Sequence, residues 1–180
     1  MDESSAITSL RAGNLDAFGG IVDLYQPQIM RYLYRLTGDV ELAKDLTQDT
    51  FVQAFESIPK MDQNSQLQLK PWLFRVATNK AMQYYRRKKI IPFIHLGYNR
   101  DINTSDNGDP SREVIERLSV EAVLCRIAVQ QRTCLVLHFV EGFKYREIAR
   151  TLGISEDAVR MRVMRGQQAF RKLYSGGDIK

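Results

Sequence analysis

The feature that most constrains the fold is a pair of helical patterns separated by a tight turn, in residues 142–173. Ile148 and Leu152 lie four residues apart, which is the spacing of an apolar stripe on one side of a helix. Gly153 follows at once and suits the left-handed conformation that closes a helix. Ser155 is then a favourable N-cap for a second helix. The pattern predicts a helix-turn-helix.

The second helix has a cationic outer side and an apolar inner side. At about 100° per residue, the inner side holds Val159, Val163, Gly166, Phe170 and Leu173. The opposite side holds Arg160, Met161, Met164, Arg165, Gln168, Arg171 and Lys172. Five cations and no acid occur from Ala158 to Lys172. This pattern favours a helix that enters the DNA major groove, and the alternative is an ordinary helical hairpin with a solvated basic side.

A second basic stretch lies in residues 71–89, where Pro71 occupies a position typical of a helix start. On a helical wheel one side carries Trp72, Arg75, Asn79, Gln83 and Arg86, while Leu73, Phe74, Ala77, Ala81 and Tyr84 face away. Aromatic rings stack with bases, amides bond base edges and cations neutralise phosphates. The pattern indicates a second nucleic-acid contact. The competing interpretation is that Trp72 belongs to the core and the basic residues are solvated.

Two helices are predicted before that stretch, over residues 15–36 and 40–57, with an interruption expected near Pro27. The outer side of the second carries acids and amides, among them Asp45, Gln48 and Asp49. A surface of this composition is most often simply solvated.

Residues 92–118 concentrate turn formers, as in NTSDNGDPS, and predict a flexible linker. A further helix is expected to begin near Ser111. The sequence therefore predicts an all-α chain of two small helical domains joined by a flexible linker, with boundaries at 1–95, 96–118 and 119–177.

Composition excludes several classes of protein. No apolar run approaches the ~20 residues that span a bilayer, and the acidic N-terminus lacks the pattern of a secretory signal, so we expect a cytoplasmic protein without membrane insertion. Cys125 and Cys134 lie nine residues apart, and His95 and His138 do not complete a metal set. We expect free thiols, no metal and no cofactor. A phosphate-binding glycine loop and a nucleophile–base pair are also missing from the sequence, so we do not expect an enzyme.

The chain resembles the extracytoplasmic-function (ECF, group IV) sigma factors of bacterial RNA polymerase. DLTQDTF at residues 45–51 resembles the acidic core-binding helix of region 2 in that family. PWLFRVATNKAMQYYRR resembles its W-L-x-x-I-A-x-N helix, and the helix-turn-helix resembles region 4. The resemblance implies that domain 1–95 is a region 2 helical bundle and that domain 119–177 is a region 4 helix-turn-helix.

The resemblance also implies roles for individual residues. Asp45, Gln48 and Asp49 would bind the clamp helices of the polymerase β′ subunit, and region 4 would meet the β flap. Trp72, Arg75, Asn79, Gln83 and Arg86 would recognise and melt the minus-ten element, together with the connector 59–70. Arg160, Met161, Met164, Arg165 and Gln168 would read the minus-thirty-five element. An anti-sigma factor is a possible further partner.

The chain departs from the family at Leu42 and Lys44, where acids are usual. This change would weaken attraction to a basic polymerase surface, and one hypothesis is that a kinase restores negative charge at Thr47 or Thr50. The alternative function is a stand-alone, two-domain helix-turn-helix regulator that binds DNA without polymerase.

Overall fold

A computed structural model describes residues 3–11, 14, 16–61, 68–87 and 120–175, and every regular element in these ranges is a helix. The N-terminal half contains α1 (Glu3–Arg11), α2 (Ala17–Thr37), α3 (Val40–Ser57), a 3₁₀ turn (Ile58–Lys60) and α4 (Leu69–Arg87). The C-terminal half contains α5 (described over residues 120–125), α6 (Val129–Leu135), a π-helical turn (Val136–Val140), α7 (Tyr145–Leu152) and α8 (Glu156–Ser175). The predicted all-α class is confirmed. None of the helices within these ranges is long and apolar enough to cross a membrane.

Several predicted features lie outside the described residues. These are most of the connector (residues 62–67), the basic Lys88 and Lys89, the predicted linker 96–118 with the cap at Ser111, and the last five residues.

Helix α2 is continuous through Pro27, where the sequence predicted an interruption. Pro27 lies at an exposed position, so water can reach the carbonyl group that the missing N–H leaves without a partner. The helix ends at Gly38, whose φ of 69° is left-handed and whose N–H donates to the carbonyl of Tyr34 at 2.7 Å. Asp39 then caps α3 by accepting from the N–H of Leu42 at 3.1 Å.

The core of the N-terminal half is built around Tyr32 and Phe74, which are both fully buried with ring centroids 4.9 Å apart. The Thr78 hydroxyl donates to the Phe74 carbonyl at 2.7 Å, so the Tyr32 hydroxyl donates in turn to Thr78 Oγ1 at 2.6 Å. Burial raises the pKa of Tyr32, which keeps the phenol protonated. The buried polar atoms of this pair are therefore satisfied, and α2 is fixed against α4.

The predicted helix-turn-helix is present as α7 and α8. Gly153 has a left-handed φ of 66°, and Ser155 Oγ accepts from the N–H of Ala158 at 3.1 Å. Helix α8 packs on α6 and α7. A Cβ atom at Gly166 would lie 2.8 Å from Leu135 Cγ, so glycine permits the close approach of α8 to α6.

The two halves pack against each other, which the sequence did not predict. Helix α4 contacts α7, and the Phe74 and Phe143 rings lie 5.3 Å apart across this contact. The Lys70 ammonium donates to the Glu141 carbonyl oxygen at 3.3 Å and lies 5.4 Å from the centre of the Phe143 ring. The buried apolar residues of both halves form one continuous cluster. The two predicted helical domains are therefore in contact with each other in this arrangement.

The Glu141 side chain is partly desolvated at this contact. Burial raises the pKa of its carboxyl group, although the positive charges of Lys70, Arg35 and Arg31 act in the opposite direction. Burying this carboxylate in its charged form therefore lowers the stability of the packed arrangement.

Gly38→Ala should lower the free energy of unfolding by about 1–3 kcal/mol, because alanine disfavours the left-handed conformation and crowds a neighbour. A Cβ atom there would lie 2.5 Å from Cys125 Sγ in the other half. Gly20→Ala, inside α2 with nothing within 4 Å, should instead raise stability by about 0.5–1 kcal/mol. Urea unfolding midpoints measure both changes. An equally stable Gly38→Ala variant would contradict this account.

Glu141→Gln should stabilise the protein at pH 7, and the gain should shrink as the pH falls towards about 4, the ordinary pKa of glutamate. A folded-state pKa above the unfolded value means that the wild type loses stability as the pH rises between the two values. Glutamine carries no charge to desolvate, so the variant escapes this loss. Urea unfolding from pH 4 to pH 8 tests the difference, with exposed Glu56→Gln as the control. A gain in stability that does not depend on pH would contradict the raised pKa of Glu141.

Candidate nucleic-acid interfaces and an acidic surface

Helix α8 presents a continuous polar and cationic outer side. The five residues predicted to read DNA there are all exposed, namely Arg160, Met161, Met164, Arg165 and Gln168. Beneath them Val159 and Val163 are fully buried, which fixes the rotation of the helix about its axis. Arg160 Nη1 lies 4.0 Å from Asp157 Oδ1, but both side chains are largely exposed, so this pair holds the guanidinium only weakly.

Arg162 is the one cation of α8 whose position departs from the outer side, since it is half-buried. Its positive charge acts on the Cys134 thiol, where burial outweighs it and raises the pKa to about 11. Cys134 and Cys125 are both free thiols, and Cys125 is the exposed one. In the sequence, only its position on the helical wheel distinguishes Arg162 from its exposed neighbours.

Helix α4 separates its polar and apolar residues in the same way. The predicted contacts Arg75, Asn79, Gln83 and Arg86 are exposed on one side, and Leu73, Phe74, Ala77 and Ala81 are fully buried on the other. Trp72 is intermediate, because it is half-buried and packs against the core. The indole therefore supports the fold and is still partly accessible to solvent.

The outer side of α3 carries Asp45, Gln48 and Asp49, all of them exposed. Lys44, on the same helix, pairs with Glu41 at 2.7 Å, and both of these side chains are also largely exposed. An exposed pair of this kind contributes little to stability, but it cancels local charge. Asp45 and Asp49 therefore give this surface its negative character.

An apolar groove runs beside this acidic surface, between α2 and α3, with a volume of about 810 Å³. Its lining includes Phe18, Val22, Met30, Phe51, Val52 and Phe55, together with Gln48. The Phe18 ring lies 5.2 Å from Phe55 and 6.4 Å from Phe51. The sequence prediction missed the groove. The groove forms only once α2 and α3 are packed, so the pattern of a single helix does not predict it.

The hypothesis that a kinase acts on Thr47 or Thr50 is wrong for the folded chain. Both side chains are buried. Their hydroxyl groups donate to the carbonyl oxygens of Ala43 and Leu46, each at 2.7 Å. Threonine favours this bond to the preceding turn when it lies inside a helix, and a kinase cannot reach a hydroxyl held in this way.

No group of three or more His, Cys, Asp or Glu side chains in the described ranges is arranged to hold a metal ion. The three surfaces present charged groups, amides and apolar side chains.

Two family models match different parts of the chain. The Sigma-70 region 2 model matches residues 21–90, and the Sigma-70 region 4 model matches residues 117–169. The ECF RNA polymerase sigma factor SigW of Bacillus subtilis is 30% identical over 180 residues, which cover 92% of this chain and 93% of SigW. The ECF sigma factor BldN of Streptomyces coelicolor is 30% identical over 166 residues, which cover 91% of this chain and 62% of BldN.

Solved structures support the same fold. CnrH, determined with the cytosolic domain of CnrY, matches with a TM-score of 0.72 at 23% identity, over 98% of this chain and 99% of CnrH. RpoE of Bartonella quintana, determined with the anti-sigma factor NepR, matches with a TM-score of 0.66 at 22% identity, over 89% of this chain and 98% of RpoE.

Proposed function

The chain belongs to the ECF group of the sigma-70 family of RNA polymerase sigma factors, and on that premise we propose which of its surfaces carries each step of promoter recognition. A sigma factor binds the polymerase core and directs it to specific promoters. The observation that carries the assignment is that three separate helices, α3, α4 and α8, each expose their predicted contact residues, apart from the half-buried Trp72, and bury the opposite side. The chain acts in this proposal by binding alone, in the cytoplasm where the polymerase works.

Helix α8 is assigned to the minus-thirty-five element. The major groove is wide enough to admit an α-helix. A rigid helix with a polar outer side can therefore read the base edges of intact duplex DNA. Arg165 and Gln168 can form hydrogen bonds with base edges, and the remaining cations of the outer side neutralise phosphates. The buried Val159 and Val163 keep this side turned away from the protein.

Helix α4 is assigned to the minus-ten element. Its exposed row of Arg75, Asn79, Gln83 and Arg86 combines phosphate neutralisation with amide hydrogen bonding. The solvent-accessible part of the Trp72 indole is proposed as the stacking surface for an unpaired base. The connector 59–70, most of which lies outside the described residues, would contribute to the capture of a flipped base.

The outer side of α3 is assigned to the polymerase core, with the clamp helices of β′ as the partner, and region 4 would meet the β flap. Asp45 and Asp49 provide charge, Gln48 provides hydrogen bonds, and the adjoining apolar groove provides an area that a partner helix can bury. This groove also supports binding of an anti-sigma factor, in competition with the core. Domains 1–95 and 119–177 are the proposed limits of the two functional units.

The two units must separate for both elements to be read at once. The elements lie about 25 base pairs apart, which is ~85 Å along a duplex. Helix α4 packs on α7, and α7 packs on α8. At about 8–10 Å between packed helices, α4 and α8 lie on the order of 20 Å apart in this arrangement. Polymerase binding therefore has to release the contact at Phe74, Phe143 and Lys70.

Transcription with purified core polymerase over a random promoter library tests the function. We expect specific transcripts only when the chain is present, from templates that share two sequence elements. Asp49→Lys should weaken core binding about tenfold or more, since it places a cation against a basic surface, whereas Asp23→Lys makes the same charge change on exposed α2 and should have little effect. Specific duplex binding without core, and no transcription with it, would instead identify a stand-alone regulator.

A fluorescence distance measurement tests the separation. Dyes placed on Gln83→Cys/Gln168→Cys, in a Cys125→Ser background, should move apart when core polymerase is added. The buried Cys134 can remain, because its thiol is inaccessible and its pKa is raised to about 11. The control pair, Lys60→Cys/Gln83→Cys, lies within one unit and should not change. An unchanged distance between Gln83 and Gln168 in an active holoenzyme would contradict the proposal.

A further inference from the structure

Two methionines occupy the outer side of α8 among its cations. Met161 and Met164 are each 42% exposed, although methionine side chains in folded proteins are commonly buried. Arg160 precedes this pair and Arg165 follows it, and both are exposed. The outer side of the helix therefore combines two flexible apolar side chains with positive charge.

The position of the two methionines suits contact with neighbouring base pairs. They are three residues apart, which places them on the same side of the helix with Cβ atoms about 5–6 Å apart. Base pairs rise by about 3.4 Å, and the long methionine side chains can bridge the difference. On the helical wheel the two methionines, with Gln168 between them, lie in the middle of the outer side. The pair therefore faces the base pairs of any groove that this side of α8 enters.

Methionine can recognise only one feature of the major-groove edge. Its thioether donates no hydrogen bond and accepts only weakly, so it discriminates poorly among the polar groups of adenine, guanine and cytosine. The single apolar group on that edge is the 5-methyl group of thymine. Methyl contact is therefore the recognition chemistry that this part of α8 supports.

The surrounding charge identifies DNA as the occupant in preference to an apolar protein partner. No acid occurs between Ala158 and Lys172, and the outer side carries Arg160, Arg165, Arg171 and Lys172 around the methionines. An apolar patch enclosed by cations fits a polyanion whose groove offers methyl groups.

We propose that Met161 and Met164 select thymine in the minus-thirty-five element by packing on its 5-methyl groups. Arg165 and Gln168 supply the hydrogen bonds to base edges beside them. This inference rests on the proposed assignment of α8 to that element, and it specifies the base chemistry that α8 prefers.

Deoxyuridine, which is thymidine without the 5-methyl group, provides the test. The minus-thirty-five sequence is first selected from a library by transcription with the wild-type holoenzyme. Each thymine in the selected duplex is then replaced by deoxyuracil, and binding of the holoenzyme is measured. We expect about fourfold weaker binding for each contacted methyl group, which corresponds to ~0.8 kcal/mol. The effect should occur at two adjacent or nearly adjacent positions.

Variants separate methyl recognition from general affinity. Met161→Ala/Met164→Ala should bind the thymine and deoxyuracil duplexes equally, and both substitutions lie on an exposed side where alanine is compatible with the helix. Leucine at both positions should preserve the discrimination, because it retains the apolar contact. Lys172→Ala, an exposed cation on the same helix, should weaken binding to both duplexes while their ratio stays unchanged.

The outcomes are distinguishable. A selected element without thymine, or a holoenzyme that transcribes from the element but binds both duplexes equally, overturns the thymine contact and leaves the sigma function in place. Discrimination that persists in the double alanine variant overturns the role of the two methionines. A chain that supports no promoter-specific transcription overturns both this inference and the proposed function.

Discussion

Phe74 is the side chain on which the rest of the arrangement depends. It is fully buried, with its ring 4.9 Å from Tyr32 in α2 and 5.3 Å from Phe143 in the C-terminal half. Burial of an aromatic ring of this size is a large favourable term, and these edge and tilted contacts add to it. Because Phe74 must face inward, α4 cannot rotate, and its polar row must face solvent.

The same principle governs the surfaces of α3 and α8. Each helix is anchored by buried apolar residues, such as Val159 and Val163 in α8. The burial of these residues determines which side of the helix is exposed. The proposed contacts with DNA and polymerase thus need no strained or buried polar groups of their own. They occupy the sides that the core leaves free, on rigid elements suited to precise recognition.

The sequence predicted the helices well where local signals agreed. Gly153 and Ser155 predicted the turn between α7 and α8, and apolar spacing predicted the separate helices 15–36 and 40–57, between which Gly38 and Asp39 lie. The prediction failed at Pro27, because whether proline interrupts a helix depends on solvent access to the freed carbonyl group. It failed also at Thr47 and Thr50, which the missing acids nearby made attractive as modification sites but whose hydroxyl groups are buried.

The sequence by itself determined the local features of the chain. These are the helices, their caps, and the residues that share the outer sides of α3, α4 and α8. Periodicity is a local property, so it can be read without knowing the neighbours of a helix. Only the tertiary structure decided which surfaces meet. The groove between α2 and α3 and the contact of Phe74 with Phe143 both join residues far apart in the chain, and an apolar side specifies that it must be covered but not what covers it.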